Sequence, residues 1–231
     1  MPPSGIRFRL SALCRFAAAG LVMAAFLSPG AGTADPVDLL FKTEHMEGLP
    51  PGAALSYAHN RTALPALQLG PDFEQRIALE TVQEGDGAPA SVKVTMDADG
   101  APRQLEQFRG VPGNPILMVF LETTVSAISR ATGGSPFYLR NRMREALRDR
   151  LSSMPMILQV GTARLPARVL EVAPFVEDEN ATRLGAFAGL SLRFVVAEQA
   201  PGMILSMRAS TPEEQDGAAA YSEEIALVPN G

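Results

Sequence analysis

Hydrophobic and polar positions alternate along several segments of the chain. Val92, Val94 and Met96 are apolar, while the residues between them are polar. The same period of two runs through three further segments, residues 73–83, 190–198 and 221–227. Because successive side chains of a strand point to opposite faces, this pattern predicts strands with one face in a core and one in water. Strands of this kind are typical of antiparallel sheets.

Turn residues lie between the predicted strands. Gly85-Asp86-Gly87 separates one pair of strands and Asp99-Gly100 the next, and both are typical hairpin connections. Pro201-Gly202 combines a residue that fixes φ near about −65° with one that accepts positive φ, as a type II turn requires. The sequence therefore predicts that residues 190–198 and 203–210 pair as a hairpin.

The middle of the chain has a helical pattern instead. Asn114-Pro115 is typical of a helix start, residues 116–121 are apolar without a break, and Gly133-Gly134 ends the pattern. A helix that is apolar nearly all round its first two turns is expected to be buried. A second helix is predicted over residues 135–151, with Ser135 as its cap and an apolar residue at every fourth position.

The remaining segments complete the predicted fold. Further strands are expected at residues 55–61, 156–160 and 167–176, and residues 176–188 are predicted to form a loop. We therefore expect an α+β fold with a curved antiparallel sheet, an open or half barrel, of about eight or nine strands. This sheet wraps around a helical insertion near residues 115–151. A β-sandwich with helices is the alternative.

Three stretches of the chain carry a resemblance to known proteins. They are Leu39-Leu40-Phe41 with Pro50-Pro51-Gly52, the start Gly113-Asn114-Pro115, and the run TGGSPFYLRNR at residues 132–142. In these stretches the chain resembles a set of secreted bacterial proteins of unassigned function. Its layout of strands around a helical insertion is similar to that of periplasmic half-barrel proteins of the lipoprotein-carrier type. Neither resemblance implies catalytic residues.

The first 34 residues are predicted to be a secretory signal peptide. Three arginines precede the apolar run 16–27, and small residues lead to a cleavage site after Ala34. A retained anchor is the alternative, but a helix of this run rises only ~18 Å against a hydrocarbon core of ~30 Å. Cys14 precedes the apolar run, so it does not fit a lipid-attachment site. We expect a single periplasmic or secreted domain over residues 35–231.

Composition and charge exclude several classes of protein. The chain is 46% hydrophobic, which excludes wholesale disorder, and its net charge of −5 argues against nucleic-acid binding. Cleavage of the signal removes three arginines and the single cysteine, so the mature chain carries a charge of −8 and folds without a disulfide. No later apolar run is long enough to span a membrane, so the mature chain is not expected to do so.

One part of the sequence matches the spacing of a calcium-binding loop. Thr95, Asp97, Asp99, Gly100 and Glu106 fall at five of its positions. However, the first position is Thr rather than Asp, and the flanking residues alternate as in strands. A hairpin with an Asp-Gly turn is therefore the better interpretation. No metal site and no cofactor are predicted.

Other reactive residues also fit structural roles. His45 and His59 are the two imidazoles, whereas a metal site needs three or four ligands, and His59 fits a half-buried strand position. Ser135 fits a helix cap better than a nucleophile. Glu44 and Glu47 are paired acids of the kind a hydrolase uses, but solvated loop charges explain them better. No catalytic residue is predicted.

The second predicted helix is rich in arginine. Five arginines stand against two acidic residues between positions 138 and 151. Charge runs of this kind are commonly a solvated face with local pairs, such as Arg142–Glu145 and Glu145–Arg148. The functional alternative is that Arg140, Arg144 and Arg148 bind an anionic surface or an acidic partner.

These observations favour an exported, non-enzymatic binder of an apolar or amphipathic envelope ligand, such as a lipid. Methionine-rich apolar surfaces adapt to such ligands. The predicted lining on the concave sheet and first long helix is Leu117, Phe120, Leu121, Phe194 and Met207. The alternative is an envelope structural or assembly factor with a filled core, which docks a protein partner on the arginine-rich helix.

Overall fold

This computed structural model contains both helices and strands, as the sequence predicts. It describes residues 35–83, 85, 91–98, 101–110, 112–160, 163–213 and 217–228. The predicted signal peptide, Cys14 and the Asp99-Gly100 turn lie outside the described residues. The helices are α1 (Pro36–Phe41), α2 (Ile116–Thr132), α3 (Pro136–Arg150) and α4 (Ala181–Leu184). The strands are β1 (Ala54–Ala63), β2 (Phe73–Val82), β3 (Ser91–Ala98), β4 (Ala101–Arg109), β5 (Ser152–Val160), β6 (Ala163–Val172), β7 (Ser191–Val196), β8 (Ile204–Ser210) and β9 (Tyr221–Leu227).

Within the described residues, the nine strands form one antiparallel sheet in the order β4-β3-β2-β1-β9-β8-β7-β6-β5. The sheet is not closed, and β4 and β5 are its two edges. These edge strands flank α2 and α3 in the chain, so the helical segment runs from one edge of the sheet to the other. The α+β class and the open sheet around helices are thus confirmed. A two-sheet sandwich is excluded, because the described strands share one sheet.

Alternation along the strands places one face of the sheet in the core, as predicted. Leu192, Phe194 and Val196 of β7 are buried, while Ser191 and Arg193, on the other face, are exposed. From the other side α2 contributes a set of fully buried side chains, Ile116, Phe120 and Ile128. Burying a side chain of this size stabilises the fold by about 1.5–3 kcal/mol relative to leaving it exposed.

Both long helices begin and end near the predicted residues. The Asn114 side chain accepts a hydrogen bond from the Ile116 N–H (3.1 Å), and Gly133 ends α2 with φ +70°. Ser135 occupies the cap position of α3 but makes no side-chain cap hydrogen bond, so the prediction holds for its place and not for its interaction. Among the described helices, none is both long enough and apolar enough to cross a membrane.

Three local predictions need correction. Residues 176–188 are not a plain loop, because they contain α4 and a 3₁₀ turn at Gly185–Gly189. The strand predicted at 167–176 ends at Val172, since Phe175 and Asp178 close a turn through a backbone hydrogen bond (3.1 Å). β5 begins at Ser152 and includes Pro155, which an edge strand tolerates. Helix α1 lies outside the predicted elements, and the Asp35 carboxylate caps it.

The predicted hairpin of β7 and β8 is confirmed, and its turn approaches the core closely. The Met203 N–H donates to the Ala200 carbonyl (2.9 Å), and Gly202 has φ +69°. A Cβ at Gly202 would lie 2.5 Å from Leu55 Cδ1 and 2.9 Å from Asn114 Nδ2. Only glycine fits here, because both the backbone conformation and the space exclude a side chain.

We expect Gly202→Ala to lower the free energy of unfolding by about 3 kcal/mol or more, because it adds a core clash to backbone strain. Gly217→Ala is the matched control: its φ is +80°, but nothing lies within 4 Å of the added Cβ. This control should cost only about 1 kcal/mol. Urea denaturation of both variants measures the difference, and equal losses would contradict the close approach at Gly202.

Candidate functional site

The strongest candidate site is a groove among helices α1, α2 and α3, with a volume of about 370 Å³. Its floor is apolar and is formed by Val37, Phe41, Met118, Leu121, Val125, Met143 and Leu147. Its rim is charged and is formed by Glu122, Arg140, Arg144 and Arg148. The groove opens to solvent, since Met118 exposes 44% of its surface. This lining contains helix residues and no strand residue.

Helix periodicity explains why α2 and α3 form the walls. The two helices are joined by three residues, 133–135, and a connection this short makes them antiparallel neighbours. Leu121 and Val125 lie four residues apart on α2, and Met143 and Leu147 lie four apart on α3, so each pair forms one stripe. The opposite side of α2 carries Phe120, which packs edge-to-face on Phe194 of the sheet at 5.8 Å between ring centroids. Helix α2 therefore packs against the core with one face and lines the groove with another.

The charged rim is only partly neutralised. The Arg140 guanidinium donates from Nε and Nη2 to both oxygens of Glu122, each at 2.7 Å, and this hydrogen-bonded pair holds the pKa of Glu122 below its usual range. Arg148 forms the same kind of fork with Asp149. Arg144 donates to the Asn141 side chain at 3.2 Å, and no carboxylate of the described chain forms an ion pair with it.

A buried polar network fixes α2 against the sheet. The Glu223 carboxylate accepts hydrogen bonds from His59 Nε2 (2.7 Å) and Tyr221 Oη. Thr124 Oγ1 lies 3.3 Å from the carboxylate and shares its one proton between it and the Phe120 carbonyl (2.9 Å). His59 in turn accepts at Nδ1 from the Gln75 side chain (3.0 Å). The three partners of the carboxylate come from β1, β9 and α2, and Gln75 extends the network to β2 through His59.

Burial and hydrogen bonding oppose each other at Glu223. Burial alone would raise the pKa of this carboxyl, but the hydrogen bonds from His59 and Tyr221 outweigh it and lower the pKa below its usual range. Burial, together with the Glu223 charge, raises the pKa of Tyr221. Glu223 is thus an ionised group that is 1% exposed and fully provided with donors. An ionised group is costly to bury without hydrogen-bond partners. Glu223 therefore fixes the positions of the side chains that donate to it.

A second network fixes the start of α2. Asn114 donates from its side chain to Tyr57 Oη (3.0 Å) and to the Gly202 carbonyl (2.9 Å). Its backbone N–H donates to His45 Nδ1 (3.0 Å), and His45 Nε2 donates to the Leu39 carbonyl of α1 (2.7 Å). Burial lowers the pKa of His45, which favours the neutral imidazole that this pattern requires. The network therefore joins α1 to the start of α2.

Helix α3 has its own anchor. The Asp178 carboxylate, 5% exposed, accepts hydrogen bonds from Tyr138 Oη (2.7 Å) and Arg142 Nε (2.8 Å). Arg150 donates to the carbonyls of Pro174 (3.0 Å) and Val176 (3.3 Å). These two arginines hold α3 to the segment after β6, so they do not belong to the groove rim.

The residues predicted to line a ligand site separate into two groups. Leu117, Phe120, Phe194 and Met207 lie in the packed core, each no more than 2% exposed. Leu121 lies in the groove, and so do the three predicted surface arginines, Arg140, Arg144 and Arg148. Of the predicted local pairs, Arg142–Glu145 is present (2.9 Å), whereas Arg148 pairs with Asp149.

The other sequence candidates occupy structural positions. Thr95 and Asp97 lie in β3 and Glu106 in β4, which pair as the expected hairpin. In the described part of the chain, no three His, Cys, Asp or Glu residues are placed to hold a metal ion. His59 is buried rather than half-buried, because it pairs with Glu223. Glu44 and Glu47 are exposed beside α1.

Glu223 is absent from the residues predicted above, although the sequence carries a signal for it. With a period of two, Glu223 shares a face with Tyr221 and Ile225, and a lone acidic residue on an apolar strand face indicates a buried polar partner. The groove residues Val37, Phe41 and Val125 carry no such signal, because their role depends on how three helices pack.

A second cavity, of about 290 Å³, opens over the Glu223 network. It is bordered by Arg61, Ser126 and Arg130, and Glu122 borders both this cavity and the groove. Both nitrogens of His59 and both oxygens of Glu223 are already hydrogen-bonded within the protein. The network therefore has a structural role and offers no free acid or base.

We expect Glu223→Gln to lower the free energy of unfolding by about 2–4 kcal/mol at neutral pH, because it removes the charge that the donors share. The folded-state pKa of Glu223 is depressed. Its ionisation therefore contributes stability that is fully present above the unfolded pKa, about 4.3, and is lost as the pH falls through the lower folded pKa. The difference between wild type and variant should shrink between about pH 5 and pH 3.

Glu224→Gln is the matched control, since Glu224 is the next residue on the same strand and is not buried. It should change stability by less than about 0.5 kcal/mol. Urea denaturation across this pH range measures both variants. A Glu223→Gln protein as stable as wild type at neutral pH would contradict the anchoring role of the network.

Comparison with known proteins gives no family for this chain. No protein-family model matches it, and a search of the curated proteins finds no match. What the groove binds is therefore inferred from its own side chains.

Proposed function

We propose that this chain is a non-enzymatic binder of an apolar or amphipathic ligand, and that the groove among α1, α2 and α3 is its binding site. The observation that carries the proposal is the groove's apolar floor beside a charged rim. Met118 is exposed, Val37, Phe41 and Leu121 are half-buried, and the other three floor side chains are buried at its base. Ligand sites are typically concave and mostly apolar, with a few polar groups that set orientation. At about 370 Å³, the groove falls in the size range of small-molecule sites.

The groove differs in place from the site that the sequence predicts. The concave sheet is filled by core side chains such as Phe194 and Met207, whereas the groove lies on the other flank of α2. The proposal therefore assigns the ligand to the helices and gives the sheet the role of support. Rigid elements held by a packed core suit a site that must keep its shape.

Two features support binding rather than catalysis at this place. The described groove lining contains no imidazole, hydroxyl or thiol, and its one carboxylate, Glu122, is held by Arg140. Met118 and Met143 supply flexible apolar contacts, which adapt to chains of varied shape. With the predicted export signal, the expected ligand is an envelope lipid or a related amphipath.

A second candidate function is an envelope structural or assembly factor that docks a protein on α3. One observation favours it: Phe137, at the start of α3, exposes 71% of its surface. Exposed aromatic residues beside arginines are typical of binding hot spots. Against it, Arg140, Arg142 and Arg148 are each held by carboxylates of this chain, so α3 offers less free charge than its composition suggests.

A single tryptophan can report on groove occupancy, because the chain contains none. We expect Met118→Trp to show a saturable blue shift in fluorescence when dodecanoate or 1-monolauroylglycerol is added below its micellar concentration. The shift follows from the transfer of the indole from water to contact with the bound chain. Titration of the emission maximum gives the affinity.

Leu105→Trp is the matched control. Leu105 is 40% exposed, close to the 44% of Met118, but lies on the edge strand β4. Its emission should not change with either amphipath. No shift at position 118 with either compound, or equal shifts at both positions, would contradict the proposed site. Phe137→Ser should leave the binding unchanged if the groove, and not a docking surface on α3, carries the function.

A further inference from the structure

We infer that the groove selects single-chain amphipaths with an anionic head, such as a fatty-acid carboxylate, and that Arg144 binds the head. This inference rests on the proposed function and names its ligand class. The apolar floor takes the hydrocarbon chain, and the carboxylate lies at the rim formed by α3.

The charge of the groove favours an anion. Three guanidinium groups and one carboxylate line it, on a chain whose net charge is −5. Arg140, Arg144 and Arg148 follow one another at intervals of four residues, so their side chains form a row along one face of α3. A positive row beside an apolar floor on an otherwise acidic chain is complementary to a molecule with an apolar tail and a negative head.

Arg144 is the one arginine of this row that pairs with no carboxylate of the described chain. Glu122 occupies both donors of the Arg140 fork, and Asp149 occupies the fork of Arg148. Arg144, between them, contacts only a neutral amide oxygen among the described residues, at 3.2 Å. Like charges four residues apart on a helix repel, so an incoming carboxylate that binds Arg144 also relieves the one cation of this row that pairs with no described carboxylate. Guanidinium binds carboxylate through two parallel hydrogen bonds, which fixes the orientation of the head.

The size of the groove favours one hydrocarbon chain. Its volume of about 370 Å³ lies near the lower end of small-molecule sites. Each methylene removed from water is worth ~0.8 kcal/mol, which corresponds to about a fourfold gain in affinity. Dodecanoate should therefore bind more tightly than decanoate by roughly an order of magnitude, as long as the added carbons still contact the floor.

Glu122 competes with the carboxylate of the ligand for Arg140. It is a carboxylate on the rim, 45% exposed, and it holds Arg140 through two hydrogen bonds. Removing its charge leaves Arg140 free to join Arg144 at the ligand carboxylate. Glu122→Gln should therefore bind dodecanoate severalfold more tightly, without a matching gain for a neutral amphipath.

The test is calorimetry of the purified protein with dodecanoate and with 1-monolauroylglycerol, which has the same acyl chain and a neutral head. Both are used below their micellar concentrations at about pH 8, where the carboxylate is ionised. We expect dodecanoate to bind more tightly. Arg144→Gln should weaken dodecanoate binding by about 10-fold to 100-fold and leave the neutral amphipath unchanged. Arg103→Gln, the same change on an exposed residue of β4, should alter neither affinity by more than about twofold.

The outcomes separate this inference from the proposed function. If neither amphipath binds, the proposed function fails. If both bind equally and Arg144→Gln changes neither, the groove binds apolar chains but the assignment of the anionic head is wrong. If Arg103→Gln weakens dodecanoate binding as much as Arg144→Gln does, the loss comes from the change in overall charge. The assignment of the head to Arg144 is then also wrong. Tighter binding by Glu122→Gln together with weaker binding by Arg144→Gln supports the assignment.

Discussion

The buried carboxylate of Glu223 is the interaction on which the arrangement of helix and sheet depends. An ionised group in an apolar interior is tolerated only when its oxygens are fully hydrogen-bonded, and here the donors come from β1, β9 and α2. A shift of α2 by one turn along the sheet would remove Thr124 from this carboxylate. Apolar packing is less directional, because one methyl or aromatic group can replace another of similar volume in a contact. The polar network therefore specifies the position of the helix, while the apolar core supplies most of the stabilisation.

A helix fixed in this way can leave one flank unpacked. Asn114 holds the start of α2 through Tyr57 and Gly202, and Thr124 holds its middle through Glu223, so two points along the axis are set by hydrogen bonds. The opposite flank, with Met118 and Leu121, is not needed to position the helix and stays open as the groove floor. A groove between helices held only by apolar contacts would tend to close, because collapse buries surface. Structural networks on one side of α2 thus leave the groove on the other side open.

Patterns that act within one segment were predictable from the sequence, and those that depend on packing between segments were not. Period-two alternation found the strands, Pro201-Gly202 found the β7–β8 hairpin, and Asn114 with Gly133 bounded α2, because each signal is local. The groove itself was not predictable: Leu121 is expected from the sequence beside the concave sheet and the three rim arginines on a partner surface. Phe120, Phe194 and Met207, expected with Leu121, pack in the core instead. An apolar residue looks the same in sequence whether it fills a core or lines a groove. Val37 and Phe41 belong to a helix of six residues, too short for periodicity to reveal.

The arginines of α3 divide their roles by helix geometry. At 3.6 residues per turn, positions 140, 144 and 148 fall within an arc of about 80°, while positions 142 and 150 lie on the far side of the helix. Arg142 and Arg150 face the segment after β6 and hold the helix through Asp178 and two carbonyls. Because these contacts fix α3 from one side, the arginines on the other side need no structural partner. That explains how Arg144 can remain without a carboxylate. The helix is already anchored by Arg142 and Arg150, and an exposed cation without an ion-pair partner costs little in water.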